Sequence, residues 1–292
     1  MNRRGIIFKA QKELYFVLAD NKEFKCKARG VFRDKNIRPL VGDFVDIQVL
    51  DHGEGYIEKI HQRKSQLIRP PVANIDQILL VLTLKSPNLN YNLVDKYLIM
   101  LEHFGVDVIM VFNKSDLVNE DDLNELRQIY SKTGYKLIFT SAINNIGMEQ
   151  IKDSLRGKIS ALAGPSGVGK SSILNMISEK DNALTGSISV KNQRGRHTTR
   201  HTELFKVFED SYILDTPGFS SIDLSFIESE QDTLEFFPEF RKYKDDCRFK
   251  NCQHINEPDC GVKSALASGD ISQSRYKNYL LIREEIQKNR RY

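Results

Sequence analysis

No stretch of this 292-residue chain is long and apolar enough to cross a bilayer. Its longest uncharged apolar run, Ile78 to Leu84, is interrupted by Thr83 and falls far short of the roughly 20 residues a spanning helix needs. The first residues carry Arg3 and Arg4 but no sustained apolar segment behind them, so no secretory signal is expected. Cysteine is scarce: there are four, three of them within the fourteen residues 247–260, which excludes a disulfide framework of the secreted kind. Repeats and low-complexity tracts are absent. The cytoplasm is the expected compartment, with no membrane contact.

What remains is ordinary globular material, 40% hydrophobic and 28% charged, at a length that suits two or three domains. The net charge of +4 is unevenly spread. Residues 1–71 carry +6, whereas residues 72–222 and 223–292 each carry −1. The excess points to a polyanionic partner for the N-terminal segment; a solvated lysine-rich surface is the plainer alternative.

The first 70 residues read as five short strands, near 5–10, 14–19, 23–28, 43–49 and 56–60, separated by turn clusters such as Asp51-His52-Gly53-Glu54-Gly55. A small barrel of the OB type accounts for them, with an SH3-like barrel as the alternative that periodicity leaves open. Arg69-Pro70-Pro71 then reads as a linker. Beyond it, apolar strands (76–83, 107–112, 136–140, 158–163) alternate with helical segments (93–104, 121–131, 171–178), the grammar of a parallel sheet covered on both faces. Strands at 203–208 and 211–214 end at Asp215. From about residue 223 the chain is helical apart from a Cys/His stretch, and its last helix is expected to start at Asp270, with Gln273 completing a capping box. The stripe Tyr276, Tyr279, Leu280 and Ile286 is its apolar face. The expected domains are 1–70, 71–222 and 223–292.

Gly164-Pro165-Ser166-Gly167-Val168-Gly169-Lys170-Ser171 is a full G-x-x-x-x-G-K-[ST] loop between a predicted strand and a predicted helix. Backbone N–H groups at such a helix start cradle phosphates; Lys170 reaches the β- and γ-phosphates, and Ser171 ligates Mg²⁺, with Ser172 beside it. Asn113-Lys114-Ser115-Asp116 follows the strand Val108 to Phe112. A carboxylate there pairs with the ring N–H and exocyclic amine of guanine, whereas adenine would leave it desolvated and unpaired. Ser141-Ala142 after the next strand strengthens this reading, the Ala142 N–H being placed to meet the guanine carbonyl. Asp215-Thr216-Pro217-Gly218 supplies a metal-proximal acid and a glycine N–H for the γ-phosphate. Between loop and acid, Arg194-Gly195-Arg196-His197-Thr198-Thr199-Arg200 stands where a first switch belongs, and Thr199, rather than Thr198, is the candidate to close on Mg²⁺.

These motifs stand in rotated order: N-K-x-D precedes the phosphate loop by about fifty residues, and D-x-x-G follows it by about fifty. The group resembles the circularly permuted GTPases, and in particular the RsgA family of ribosome small-subunit-dependent GTPases, whose Arg-His-Thr-Thr switch sequence stands here at Arg196 to Thr199. The resemblance covers essentially the whole chain. It implies a multi-domain protein with an N-terminal OB-fold, a central permuted α/β P-loop GTPase domain and a C-terminal mainly helical zinc-binding domain. It further implies late action on the small ribosomal subunit and its rRNA, with GTP turnover stimulated by that subunit and GDP as product. A monomer is the default.

Phe219 occupies the place where glutamine ordinarily orients the attacking water, so slow intrinsic hydrolysis is expected and His197 is the candidate to orient that water. An exposed, RNA-contacting or solvated His197 is the alternative. Cys247-x₄-Cys252-x-His254-x₅-Cys260 has the donor set of one structural, closed zinc site; Cys26 reads as a small core or surface residue. Arg241, Lys242, Lys244, Arg248 and Lys250, with Arg283, Lys288, Arg290 and Arg291, are candidate rRNA phosphate contacts. Two rivals stand beside this reading: a permuted GTPase serving the large subunit, and an RNA-binding protein whose nucleotide site is only structural. The rotated order also predicts that the phosphate-sensing segment is tied mechanically to the C-terminal domain that follows it.

Overall fold

The computed structural model describes residues 2–34, 37–67, 70–179, 202–208, 210–215 and 222–289. Their contacts fall into two compact units, each assembled from three pieces of chain. The first comprises Met1–Leu79, Met148–Ala163 and Lys170–Ser220, and the second Leu80–Gly147, Gly164–Gly169 and Ser221–Tyr292.

The first unit opens with a five-strand barrel: β1 (Asn2–Gln11), β2 (Leu14–Ala19), β3 (Lys22–Ala28), β4 (Phe44–Val49) and β5 (Glu54–Ile60). A short helix α1 (Gly30–Asp34) lies between β3 and β4. Side chains alternate, so Tyr15, Val17, Phe24, Cys26, Val45, Ile47 and Ile57 point inward and are buried, as a period of two dictates. The order β1-β2-β3-β5-β4, closed by β1 against β4 and with β3 parallel to β5, is that of the OB barrel. This decides between the two barrels that periodicity left open. Cys26 belongs to the core, and burial pushes its thiol up to about 11.

Two short strands, β6 (Gln66–Leu67) and β7 (Val72–Ala73), pair antiparallel around Pro70 and Pro71. The described residues on either side of the segment read as a linker are therefore paired strands. They are held to the barrel by the Asn74 amide, which donates to the Gly42 carbonyl at 2.9 Å, and by Arg63, which donates through Nε and Nη2 to the buried Asp43 carboxylate at 2.7 Å each.

Strand β8 (Gln77–Leu82) is buried throughout and runs from the first unit into the second. In the second unit follow α2 (Tyr91–Phe104), β9 (Asp107–Phe112), α3 (Glu120–Tyr130) and β10 (Lys136–Phe139), with strand order β10-β9-β8 and β9 parallel to β10. Asn90 caps α2 by accepting from Leu93 N–H. Asn119 and Asp122 form a reciprocal capping box on α3, which explains its start at Glu120 rather than at 121.

Back in the first unit are α4 (Met148–Leu155), β11 (Ile159–Ala163), α5 (Lys170–Glu179), β12 (Glu203–Phe208) and β13 (Ser211–Asp215). Helix α4 was not anticipated, although Met148, Ile151 and Leu155 hold the i, i+3, i+7 spacing of a buried face, which Lys152 and Ser154 share. β11 and β13 are parallel, β12 runs antiparallel to β13, and β12 pairs with β1 through Lys9 and Glu203. That backbone pairing is reinforced by a 3.1 Å ion pair between the same two side chains, so barrel and α/β strands share one sheet within this unit.

The C-terminal region of the second unit contains α6 (Pro238–Arg241), α7 (Gly261–Ala267) and α8 (Gln273–Asn289). Phe237, Phe240, Val262, Ile271, Tyr279, Ile282 and Ile286 form its core, and Ile99 of α2 belongs to the same cluster. The cap of helix α8 lies two residues later than expected. Ser272 caps it, its hydroxyl accepting from Ser274 N–H at 3.2 Å, while the Asp270 carboxylate is taken by Lys132 and the Ser268 hydroxyl.

Candidate functional site

In the second unit the strand end after β9 is cross-braced before any ligand is considered. Asn113 is buried; its amide donates to the Val168 carbonyl at 2.9 Å, and its carbonyl oxygen accepts from the Thr140 hydroxyl at 3.1 Å and Ala142 N–H at 3.3 Å. One side chain thus joins the N-K-x-D turn, the Ser141-Ala142 loop and the phosphate loop. Lys114, in a left-handed conformation at φ 61, donates to the Gly167 carbonyl at 2.8 Å and to the Ser86 carbonyl. Ser115 N–H bonds the Thr140 carbonyl at 2.9 Å. The Asp116 carboxylate is exposed and accepts through Oδ1 from the Ser141 hydroxyl.

The phosphate-loop segment Gly164–Gly169 is shaped by two close approaches. At Gly164, with φ +126, a Cβ would lie 2.1 Å from the Val81 carbonyl oxygen; at Gly169, with φ +92, it would lie 2.3 Å from Asn113 Nδ2. Both the backbone angle and the space demand glycine. Val168 is buried, whereas Ser166 and Gly167 are exposed and Pro165 is half-buried. In the first unit, Lys170 opens α5 half-buried, followed by the exposed Ser171 and Ser172. The backbone of Asp215 ends β13 opposite Glu203. His197, Thr198, Thr199, Gly218 and Phe219 lie outside the described residues.

Cys247, Cys252, His254 and Cys260 bring one donor atom each to within 4.8 Å of all the others. The Cys247 and Cys260 sulfurs are 3.8 Å apart, and His254 Nδ1 is 3.5 and 3.4 Å from them. A tetrahedron with Zn–S near 2.3 Å and Zn–N near 2.05 Å has edges of about 3.8 and about 3.5 Å, so the donor set fits zinc in both chemistry and size. A disulfide needs about 2.05 Å, and the cysteines are free. Burial pushes the Cys252 thiol up to about 12 and raises that of Cys260, while it lowers the His254 imidazole toward the neutral form that ligates metal.

The loop around this cluster is itself braced. Gly261 N–H points at Cys247 Sγ at 3.3 Å, and Lys263 N–H at Cys260 Sγ at 3.5 Å. Glu257 accepts from the N–H groups of Gln253, Ile255 and Asn256 at 2.7, 2.9 and 3.1 Å. From α8, Tyr276 and Tyr279 donate their hydroxyls to the carbonyls of His254 and Gln253 at 2.7 and 3.1 Å.

Sequence reasoning missed a second buried constellation beside it. Arg275 of α8 is 1% exposed, Asp95 of α2 0% and Glu239 of α6 2%. The guanidinium donates to both Glu239 oxygens at 2.7 and 3.1 Å and to Asp95 Oδ1 at 2.7 Å. Asn278 donates to Asp95 Oδ2 at 2.6 Å, and the Tyr130 hydroxyl to Asp95 Oδ1 at 3.3 Å. One cation serves two carboxylates, so Arg275 stays ionised, while burial holds the Asp95 carboxyl above its usual range against the pull of Arg275. The aromatic side of α2 is also engaged: the His103 ring stacks on Phe226 at 3.8 Å between centroids. Of the basic residues proposed for RNA, Arg241 pairs with Glu102, Lys244 with Glu235, and Lys288 with Glu284. Arg283 donates to the Glu230 carbonyl and to Gln253.

Residues 60–225 match the family model described as RsgA GTPase, which is more than half of the chain. The chain belongs to the RsgA GTPase family. Residues 4–57 match the RsgA N-terminal domain. The chain is 45% identical over 291 residues to the small ribosomal subunit biogenesis GTPase RsgA of Alkaliphilus metalliredigens, covering 99% of each. It is 48% identical over 271 residues to the protein of that name in Agathobacter rectalis, covering 92% of this chain and 89% of the relative. Among solved structures, YjeQ from Thermotoga maritima superposes with a TM-score of 0.84 at 37% identity, over 98% of this chain and 99% of that one. YloQ, described as a circularly permuted GTPase, gives 0.81 at 33%, over 99% and 96%. As in that family, the chain combines an N-terminal five-strand barrel, a GTPase centre and a C-terminal helical region whose Cys₃His cluster can hold zinc. No helix among the described residues is long and apolar enough to cross a membrane.

Proposed function

We propose that this GTPase acts in the cytoplasm, as a single chain, on the maturing small ribosomal subunit, binding its rRNA and hydrolysing GTP to GDP when the subunit is engaged. The observation that carries the nucleotide part is Asn113, whose one side chain braces the base-reading turn, the Ser141-Ala142 loop and the phosphate loop together. Pre-formed sites of this kind spend little of their binding energy on ordering. Asp116, with Oδ1 held by Ser141, reads the guanine donors; Lys114 and Ser115 hold the turn, and Ala142 N–H, which bonds Asn113 Oδ1 at 3.3 Å, is shared with the guanine carbonyl. Gly164 to Gly169 cradle phosphates by their N–H groups, Lys170 neutralises them, and Ser171, Thr199 and Asp215 hold Mg²⁺, directly or through water, with Ser172 beside them. Mg²⁺ supplies charge neutralisation on the β- and γ-phosphates. Gly218 senses the γ-phosphate, and His197 orients the attacking water in place of the glutamine that Phe219 replaces. Zinc on Cys247, Cys252, His254 and Cys260 is structural, since four protein donors leave no open position. The working division is an RNA-binding barrel at 1–70, the GTPase at 71–222 and the zinc region at 223–292.

The decisive measurement is GTP turnover by the full chain with purified small subunits and, separately, with large ones. Stimulation by small subunits alone is expected; no stimulation, or stimulation by large subunits instead, rejects the proposal. His197→Ala is expected to abolish the stimulated increment while leaving GTP affinity and subunit binding within about twofold, an effect in the 10²–10⁴ range of a positioned proton-transfer or water-orienting group.

A further inference from the structure

The loop between the first two thiols of the cluster, Arg248-Phe249-Lys250-Asn251, displays an aromatic ring to solvent. Phe249 is 46% exposed, whereas Phe237 and Phe240 of the same region are wholly buried. The loop backbone is fixed on both sides of that ring. Arg248 N–H donates to the Asp259 carbonyl at 3.0 Å, and Cys252 N–H to the Phe249 carbonyl at 3.2 Å. Cys247 and Cys252, which flank it, are donors of the cluster. Cations stand on either side. The Arg248 guanidinium lies 5.6 Å from the Phe249 centroid; its 3.2 Å pair with Asp259 is about two-thirds exposed at both ends and so is readily exchanged for another anion. Lys250 is exposed and has no ion pair with any described residue. Asp245 and Asp246, also exposed, precede Cys247, which confines the positive charge to the tip. Arg241 and Lys244 are paired with carboxylates, while Lys242, exposed like the tip, precedes Cys247 on the same basic run.

We infer that Phe249, flanked by Arg248 and Lys250, is a contact point for an unpaired base of RNA, the ring stacking on the base and the two cations meeting the adjoining phosphates. The inference rests on the small-subunit reading above and names a site for it. A protein-binding aromatic draws its energy from an apolar, water-excluding surround. Here the chain neighbours Arg248, Lys250 and Asn251 are polar and exposed, which suits a base, because every base offers a π-face and carries a phosphate beside it. A ring held on a metal-braced loop loses little freedom when it stacks.

The test uses the full, zinc-loaded chain and purified small subunits. Phe249→Ala is expected to weaken binding by about 5- to 150-fold, the span of one base–aromatic stack, with zinc content and subunit-free GTP turnover unchanged; Phe249→Tyr is expected to restore binding. Lys250→Gln is expected to lower the slope of log affinity against log salt by about 1. A photoreactive phenylalanine analogue at position 249 should crosslink to rRNA. Wild-type binding with an unaffected Phe249→Ala variant overturns this contact alone, and a crosslink to a ribosomal protein overturns the assignment to RNA. Failure of the wild-type chain to bind or respond to small subunits overturns the underlying reading as well.

Discussion

The Cys247–Cys252–His254–Cys260 cluster and the Asp95–Glu239–Arg275–Asn278 network both bear on α8, and they are built on opposite plans. The cluster gathers its donors from 14 consecutive residues, and all four are electron-pair donors with no cation of their own. The network draws partners 36 and 180 residues apart onto one guanidinium, a cation that the chain itself supplies. The first therefore depends on something from outside the chain, the second only on the fold. Each also anchors a different end of the same problem. The cluster orders a loop, whereas the network fastens α6 and α8 to α2, the helix that leads into strand β9.

Metal removal is the largest perturbation that separates them. Structural zinc in small domains contributes about 10–16 kcal/mol of apparent binding free energy, more than a domain of this size has to lose. On treatment with a strong chelator, amide exchange in residues 247–260 is expected to become unprotected, and zinc addition to restore it. The turn of α8 that carries Arg275, Asn278 and Ile282 should lose less protection, because its ties to Asp95 and Glu239 need no metal. Unchanged exchange in residues 247–260 would remove zinc from the structural role; loss of protection equally across α2 and α8 would make the two constellations one.

Breaking the network from within comes next. Arg275→Ala leaves two buried carboxylates without their cation, a defect that typically costs about 3–5 kcal/mol, read as a fall in the denaturation midpoint at unchanged zinc content. Replacing the set together, Arg275→Met with Asp95→Asn and Glu239→Gln, should recover most of that loss, since the penalty arises from unpaired charge and not from the absence of ions. No recovery would mean that packing against Phe237, whose centroid is 4.5 Å from the guanidinium, carries the effect. The intact network also bears on the rotated motif order. Phe226 is already stacked on His103 of α2, so the start of the C-terminal region is fastened to the helix that precedes β9. The expected mechanical tie between the phosphate-sensing segment and the C-terminal domain has to work against this fastening; equal mobility of residues 222–289 in the GTP and GDP forms, free and on the subunit, would reject it.

The contrast in plan is also a contrast in legibility. A P-loop, an N-K-x-D turn and a Cys₃His spacing are contiguous, so each could be read with its chemistry from the residues alone. The barrel strands were equally plain from alternation, but OB and SH3-like closures share that alternation, and only the β3–β5 and β1–β4 pairings decide between them. Asp95, Glu239 and Arg275 sit in segments where a charge reads as solvent-facing, and nothing local says that three such charges meet in the core. For the same reason the carboxylate partners of Arg241 and Lys244, which lie far off in sequence or in another element, could not be read locally. Helix α4 was legible in the i, i+3, i+7 spacing of Met148, Ile151 and Leu155 but was passed over, with Lys152 and Ser154 diluting that face. The start of α8 was misplaced because Asp270 looks like a cap, although Ser272 does the capping.

The smallest expected effect gives the sharpest control, because it lies on the same two helices. Lys96 of α2 donates to Glu285 of α8 at 2.7 Å, and its side chain is 19% exposed against 47% for Glu285. In geometry this pair resembles Arg275 with Asp95; in solvation it does not. Water and salt screen an exposed pair, and ordering two long side chains consumes much of the remaining attraction, so such pairs are worth about 0.2–1 kcal/mol. A double-mutant cycle of Lys96→Met and Glu285→Gln should give a coupling in that range, shrinking as ionic strength rises. The Arg275→Ala penalty, shielded from solvent, should be nearly indifferent to salt. A coupling above about 2 kcal/mol for Lys96 and Glu285 would exceed what exposed pairs supply and would place the joint between α2 and α8 at its rim rather than in its buried network.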